Sequence, residues 1–127
     1  MNVPAELRYT KSHEWAKKEG ANIRVGITDH AQHEITDVVH VELPEKGRAV
    51  KQGQPAAVVE SVKSAFDIFA PVDGAIADVN ERLSSNPELV NQSPYTDGFF
   101  FVLSAVNPAD LDKLMTAAEY EKFIEHK

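Results

Sequence analysis

Turn-forming residues recur so densely through the first hundred positions that most of what lies between them is of strand length. Gly20, Pro44 to Gly47, Gly53 to Pro55, Pro71 to Gly74 and Asn86-Pro87 all interrupt the chain. Between them Ile23, Val25 and Ile27 alternate with Arg24 and Gly26, and Val39, Val41 and Leu43 alternate with His40 and Glu42. That period of two predicts two half-buried strands with those apolar side chains inward. Asp73-Gly74, with Ile68 and Ala70 before it and Ile76 and Val79 after it, predicts a hairpin. Leu43-Pro44-Glu45-Lys46-Gly47 and Ala70-Pro71-Val72-Asp73-Gly74 share one arrangement, apolar, Pro, two residues, Gly. They are either two unrelated turns or the mark of two similar halves about a pseudo-twofold axis, with Lys63 between them.

Helical signals are confined to the edges of this pattern. Asp29 is placed to cap a short helix through Gln32, and Asn107 followed by Pro108 opens another that carries Leu111, Leu114 and Met115 on one face. Thr116-Ala117-Ala118-Glu119 is a capping box ahead of Tyr120, Phe123 and Ile124 at helical spacing. These stripes are expected to be packing surfaces.

With 127 residues, 43% of them hydrophobic, the chain fits a single domain, 1–127, with a core of its own. Twenty acidic against thirteen basic residues give a net charge of -7, the wrong sign for phosphate neutralisation, so nucleic acid and anionic membrane surfaces are not expected partners. There is no cysteine, hence no disulfide, thiolate nucleophile or cysteine metal site, and any redox chemistry needs a borrowed group. The N-terminal residues lack the pattern of a signal or transit peptide, and no apolar run reaches the ~18 residues of a membrane span. A soluble, intracellular protein is expected.

Three constellations could carry chemistry. His30 and His33, three apart and followed by Glu34, could put two imidazoles and a carboxylate on one helical turn; the order is not that of the zinc protease motifs, no further ligand is evident, and a solvated acidic helix is the expectation. Ser12-His13-Glu14 places a hydroxyl, an imidazole and a carboxylate in succession, but on an extended strand Ser12 and Glu14 face one way and His13 the other, which breaks a catalytic triad. Neither a nucleophile elbow nor a phosphate-cradling loop is present. No catalytic or metal residue is assigned.

The third constellation surrounds Lys63. None of the other twelve cationic side chains lies between Lys51 and Arg82, and Lys63 stands alone in Glu60-Ser61-Val62-Lys63-Ser64-Ala65-Phe66-Asp67. Isolation of that kind suits a covalent attachment point. Residues 56–69 contain no Gly or Pro, and Val58, Val62, Ala65 and Phe69 make a passable helical stripe, whereas the β-branched and aromatic content favours strands. Local reasoning leaves helix and hairpin both open.

The lysine segment, followed by Ala70-Pro71-Val72-Asp73-Gly74, resembles the lipoylation segment of the glycine cleavage system H protein family. Other blocks follow in that family's order: Tyr9-Thr10 with His13-Glu14-Trp15, Val25 to Gln32, Asp37-Val38-Val39, Val41 to Pro44, Val79-Asn80, Pro87 to Asn91, and Ser93-Pro94-Tyr95 with Gly98. The similarity spans about residues 7 to 125. It departs from the family pattern at Thr36, where Gly is usual, at Phe99, where Trp is usual, and at Phe101, where a basic residue is common.

The resemblance implies a mainly β fold, a barrel-sandwich hybrid of two small antiparallel sheets. Its central motif would cover about residues 22–104, with short edge helices and C-terminal helices at about 107–125. Lys63 would lie at a tight hairpin and carry lipoate covalently. The protein would be a non-catalytic, monomeric carrier serving three partners: a pyridoxal-phosphate glycine decarboxylase, a tetrahydrofolate-dependent aminomethyltransferase and a flavin-dependent dihydrolipoamide dehydrogenase. A lipoate-attaching enzyme would recognise Glu60 near the lysine. Ser12, Glu14 and Asp67 match positions lining a pocket for the aminomethylated arm; from the residues alone Glu14 and Asp67 read as ordinary solvated acids. The location implied is the bacterial cytoplasm, or the mitochondrial matrix for a processed eukaryotic form. A lipoate relay to other enzymes is the alternative within the family. A biotinyl carrier would flank its lysine with Met, and a 2-oxo acid dehydrogenase lipoyl domain would show Asp before it, where Val62 stands.

Overall fold

In the computed structural model residues 2–125 are described; Met1, His126 and Lys127, the ends of the expected 1–127 domain, lie outside them. Two antiparallel sheets dominate. The larger has the order β1 (Arg8–Tyr9), β2 (Glu14–Glu19), β3 (Asn22–Ile27), β9 (Phe101–Ser104), β8 (Gly74–Val79), β5 (Ala49–Val50). The smaller has the order β4 (Val38–Glu42), β6 (Pro55–Ser61), β7 (Ala65–Phe69). Their facing sides bury one apolar cluster that includes Val25, Ile27, Val41, Val59, Ile68, Ile76, Phe101 and Leu103. Each fully buried Val, Leu or Phe contributes about 1.5–3 kcal/mol. That sum outweighs the fractions of a kcal/mol at stake in helix propensity, so residues 56–69 fold as a hairpin although a helical stripe can be drawn through them. The stripe's Val62 is 70% exposed, while the strands bury Val59 and Ile68.

The β3 alternation matches expectation, with Ile23, Val25 and Ile27 all buried. The β4 alternation does not. The pairing with β6 shifts between Val38↔Ser61 and His40↔Glu60, a β-bulge, so Val38 and Val41 turn inward and Val39 is left 54% exposed. The hairpin expected at Asp73-Gly74 is also corrected: β7 pairs with β6, whereas β8 pairs with β5 and β9. Asp73 Oδ1 instead accepts from the Gln52 N–H at 2.8 Å, fixing the segment against the preceding turn rather than closing a hairpin. Both Pro-x-x-Gly turns carry the chain from the smaller sheet to the larger, as β4 to β5 and as β7 to β8, and β5 and β8 then pair with each other. The echo is therefore topological, although Gly47 has φ +90° and Gly74 is not among the positive-φ residues.

α1 (Asp29–Ile35) is capped by Thr28, whose hydroxyl accepts from the Ala31 N–H at 3.1 Å; Asp29, the expected cap, is the first helical residue. α2 (Arg82–Ser85) and α3 (Leu89–Gln92), which the sequence pattern did not announce, are single turns too short to persist without their packing. α4 (Pro108–Asp112) has its Asn107 cap as expected but stops before Leu114 and Met115, because Met115 exchanges backbone hydrogen bonds with Tyr9 at 2.9 Å in each direction. α5 (Ala117–Glu125) begins at the expected capping box, with Thr116 N–H to Glu119 Oε1 at 2.8 Å and Glu119 N–H to Thr116 Oγ1 at 3.3 Å. Those bonds lower the Glu119 pKa. α5 covers a second cluster of Leu7, Tyr9, Trp15, Ala117 and Tyr120, in which Tyr9 and Tyr120 stack at 4.7 Å.

Thr36, the departure from glycine, closes α1 at φ 66°, ψ -154°, a region that side chains enter at a cost of order 1–3 kcal/mol. Its N–H bonds the Gln32 carbonyl at 3.1 Å and its own carbonyl accepts from Asn91 at 2.9 Å, which hold it there. Thr36→Gly is therefore expected to raise stability by about 1 kcal/mol in urea unfolding. An unchanged or lowered midpoint would contradict strain at this position.

Candidate functional site

Lys63 projects from the three-residue tip between β6 and β7. Ser61 builds that tip: its N–H donates to the Ser64 carbonyl at 2.8 Å, and its hydroxyl oxygen accepts from the N–H groups of Lys63 (3.1 Å) and Ser64 (3.3 Å). The Val62 N–H donates to the Asp37 carbonyl at 3.0 Å, which ties the tip to the segment after α1. Val62, Lys63 and Ser64 are all exposed, so a fixed backbone presents an accessible amine to whatever approaches. The amine reaches back over α1, with Nζ 3.4 Å from the Glu34 carbonyl near the negative end of the helix dipole. Glu60 sits half-buried on β6 between His40 and Ala65, one strand residue before the tip.

A cavity of about 260 Å³ opens beside the lysine. Ile27, Ala31, Ile35, Val59, Phe66 and Ile68 make its apolar wall, and Ser12, His13, Glu34, Lys63 and Asp67 its polar rim. Lys63, Ser12 and Asp67 thus share one cavity. Glu14 is not on it. Its side chain lines a more open cleft with Thr10, Ser12, Gln52, Gly53 and Phe69 to Pro71, so of the expected residues Ser12 alone belongs to both recesses.

Glu14 is 1% exposed and its carboxylate is fully engaged. Oε1 accepts from the hydroxyls of Thr10 and Ser12, each at 2.6 Å, and Oε2 from the Phe69 N–H at 3.2 Å. Ser12 and Glu14 do meet, but not by strand alternation. His13 has φ 71° and β2 begins only at Glu14, so a kink turns His13 away while Ser12 folds back. Burial pushes the Glu14 pKa up from 4.5, and the Ser12, Thr10 and Phe69 hydrogen bonds offset part of the rise. An acid whose folded pKa is raised stabilises fully below the unfolded value and loses that contribution as pH rises through the folded value. The Glu14 side-chain carboxyl carbon should therefore titrate by NMR with a midpoint above 4.5, and Ser12→Ala, which removes a donor to the charged form, should raise that midpoint further. A midpoint that falls in Ser12→Ala would contradict this arrangement.

His13, His30 and Glu34 come together at the rim, a group that sequence reasoning had divided between two separate motifs. His30 Nε2 lies 3.0 Å from Glu34 Oε1, whereas His33, expected to share a helical face with His30, is exposed and outside the group. The β2–β3 pairing, which runs from Glu19↔Asn22 to Glu14↔Ile27, was the available signal: it brings His13 beside Thr28 and hence beside the first turn of α1.

The chain matches the glycine cleavage H-protein family over residues 7–127. It belongs to that family. A glycine cleavage system H protein from Endomicrobium trichonymphae is 54% identical over 124 residues, covering 98% of this chain and all of the relative. One from Thermus thermophilus is 53% identical over 125 residues, with 98% of each chain covered. The crystal structure of a glycine cleavage system H protein from Mycobacterium marinum superposes with a TM-score of 0.86 at 34% identity, covering 97% of this chain and 99% of that one. The barrel-sandwich fold expected from the resemblance is thereby established, and the chain is a lipoyl carrier of the glycine cleavage system rather than a catalyst. Among the described residues no helix is long and apolar enough to cross a membrane.

Proposed function

We propose that Lys63 is the attachment point of the lipoyl group and that the loaded arm accepts an aminomethyl group from a pyridoxal-phosphate glycine decarboxylase. The arm would then present it to a tetrahydrofolate-dependent aminomethyltransferase and be reoxidised by a flavin-dependent dihydrolipoamide dehydrogenase. The observation that carries this reading is the exposed Lys63 at a backbone-locked hairpin tip, next to a cavity with an apolar wall. An amide-linked alkyl chain ending in a dithiolane fits that wall. When bound, lipoate supplies the disulfide that a cysteine-free chain lacks.

The chain's own residues attach, orient and shelter. The exposed tip gives an attaching enzyme access to the amine, with Glu60 on the adjoining strand as part of the surface it recognises. Asp67 and Ser12 on the cavity rim offer charge-assisted hydrogen bonds to an alkylammonium, and Glu14, buried behind Ser12, accepts from the Ser12 hydroxyl and holds it in place. An enclosed arm loses its cargo to water more slowly. Attachment converts an ammonium to a neutral amide and takes the net charge from -7 to -8, since thirteen cations become twelve. Tethering keeps the arm at an effective concentration on the order of millimolar for each partner site. The bacterial origin of the relatives supports the bacterial cytoplasm as the location of this work.

Reconstitution with the three partner enzymes tests the reading. Glycine-dependent release of carbon dioxide should require the lipoylated chain and saturate with it. Release that is indifferent to the lipoylated chain would overturn the reading and favour a lipoate relay.

A further inference from the structure

We propose that His13, His30 and Glu34 form a binding site for a divalent transition-metal ion of the zinc class, at the end of the cavity beside Lys63. One donor atom from each residue lies within 4.8 Å of the other two. Ligands at about 2.0–2.2 Å from zinc stand roughly 3–4 Å from one another. The His30 Nε2 and Glu34 Oε1 atoms, 3.0 Å apart, already stand at that spacing, with Glu34 on the last turn of α1.

Two observations set the group apart from an ordinary solvated helix face. His30 Nε2 is buried and makes no hydrogen bond, although Glu34 Oε1 is only 3.0 Å away. At that separation the ring nitrogen and the carboxylate oxygen can serve as two ligands of one ion. The second observation is behind His13. Its Nδ1 is 2.7 Å from the Tyr120 hydroxyl, and that hydroxyl is 2.8 Å from Thr28 Oγ1. Ligation through His13 Nε2 calls for the tautomer in which Nδ1–H donates to the Tyr120 hydroxyl and that hydroxyl donates to Thr28, a chain these distances accommodate and the outer-shell support that metal-bound imidazoles ordinarily have.

The donor set selects the ion class. Two imidazoles and one carboxylate suit zinc, copper or nickel, while magnesium and calcium demand more oxygens. His13 and Glu34 also line the cavity, so the remaining coordination positions open into it and are available to water. This makes an open site rather than a closed structural one.

The test uses the full chain carrying Lys63→Arg, so that no attached dithiol can bind metal and the result is independent of the carrier reading. Titration with Zn²⁺, followed by calorimetry and by the histidine ring-nitrogen shifts, should show one saturable site with the His13 and His30 resonances moving together. His30→Gln and Glu34→Gln should each weaken binding about tenfold or more, while His33→Gln and His40→Gln leave it unchanged. If His30→Gln perturbs α1, the Glu34→Gln titration and the ring-nitrogen shifts of the parent decide the matter. Absence of saturable binding, affinity indifferent to Glu34→Gln, or loss of binding in His33→Gln would overturn the proposal.

Discussion

Lys63→Arg is expected to leave the chain folded and wholly unmodified, and to reduce carrier-dependent glycine decarboxylation to the level seen without the protein. Arginine keeps the positive charge and occupies the same exposed tip, where the holding contacts are made by backbone N–H groups and the Ser61 hydroxyl. Stability should therefore change by less than about 0.5 kcal/mol, the usual range for surface substitutions. A guanidinium stays protonated and is a poor nucleophile, so no amide to lipoate can form on it. The loss is complete because among cationic side chains Lys63 alone lies between Lys51 and Arg82, and a neighbouring amine cannot substitute at the tip. Decarboxylation that persists with this variant would mean that the cargo travels on another residue.

The largest effect on folding is expected at Gly98, which is buried and lies outside every strand and helix. A Cβ placed there would stand 2.5 Å from the Leu89 carbonyl oxygen and 2.8 Å from that of Ser93, and the Gly98 N–H donates to the same Ser93 carbonyl. Both obstacles are backbone, so no side-chain rotation relieves them; α3 and the loop after it have to move. That loop carries the Pro94 carbonyl that accepts from Trp15 Nε1 at 2.9 Å and the Tyr95 hydroxyl that bonds the Asp29 N–H, so displacement spreads into the second core cluster. Gly98→Ala should cost about 3 kcal/mol or more, a fall in Tm on the order of 10 °C. A Tm within a degree or two of the parent would show that the approach of α3 to Gly98 is looser than the geometry states.

Local chemistry made some of this legible in the sequence. The Thr116 capping box, the Asn107-Pro108 start and the β3 alternation depend on neighbours within a few residues, and each is found as expected. What depends on a distant partner was not legible. Asp73-Gly74 has the composition of a hairpin, but β8 finds its partners in β5 and β9, which no property of residues 68–79 announces. The bulge that exposes Val39 lies in the pairing of β4 with β6, between Val38↔Ser61 and His40↔Glu60, and β6 is distant in sequence. The tip itself came from family resemblance, since periodicity through residues 56–69 is compatible with a helix.

The candidate site divides along the same line. Lys63 was readable from its isolation and its motif, and Ser12 and Asp67 are beside it on one cavity. Glu14 is hydrogen-bonded to Ser12 but opens to a different recess, a separation produced by the kink at His13 rather than by any alternation of side chains. His13 and His30, seventeen residues apart in number, meet only because the β2–β3 hairpin folds one onto the other.

Whether Lys63 bears the lipoyl group is decided by intact mass and peptide mapping of the protein isolated from its native host. A single lipoyl increment is expected, confined to the peptide that contains Ser61 to Ser64. An unmodified chain from cells that make lipoate, or an increment on any other lysine, would contradict it.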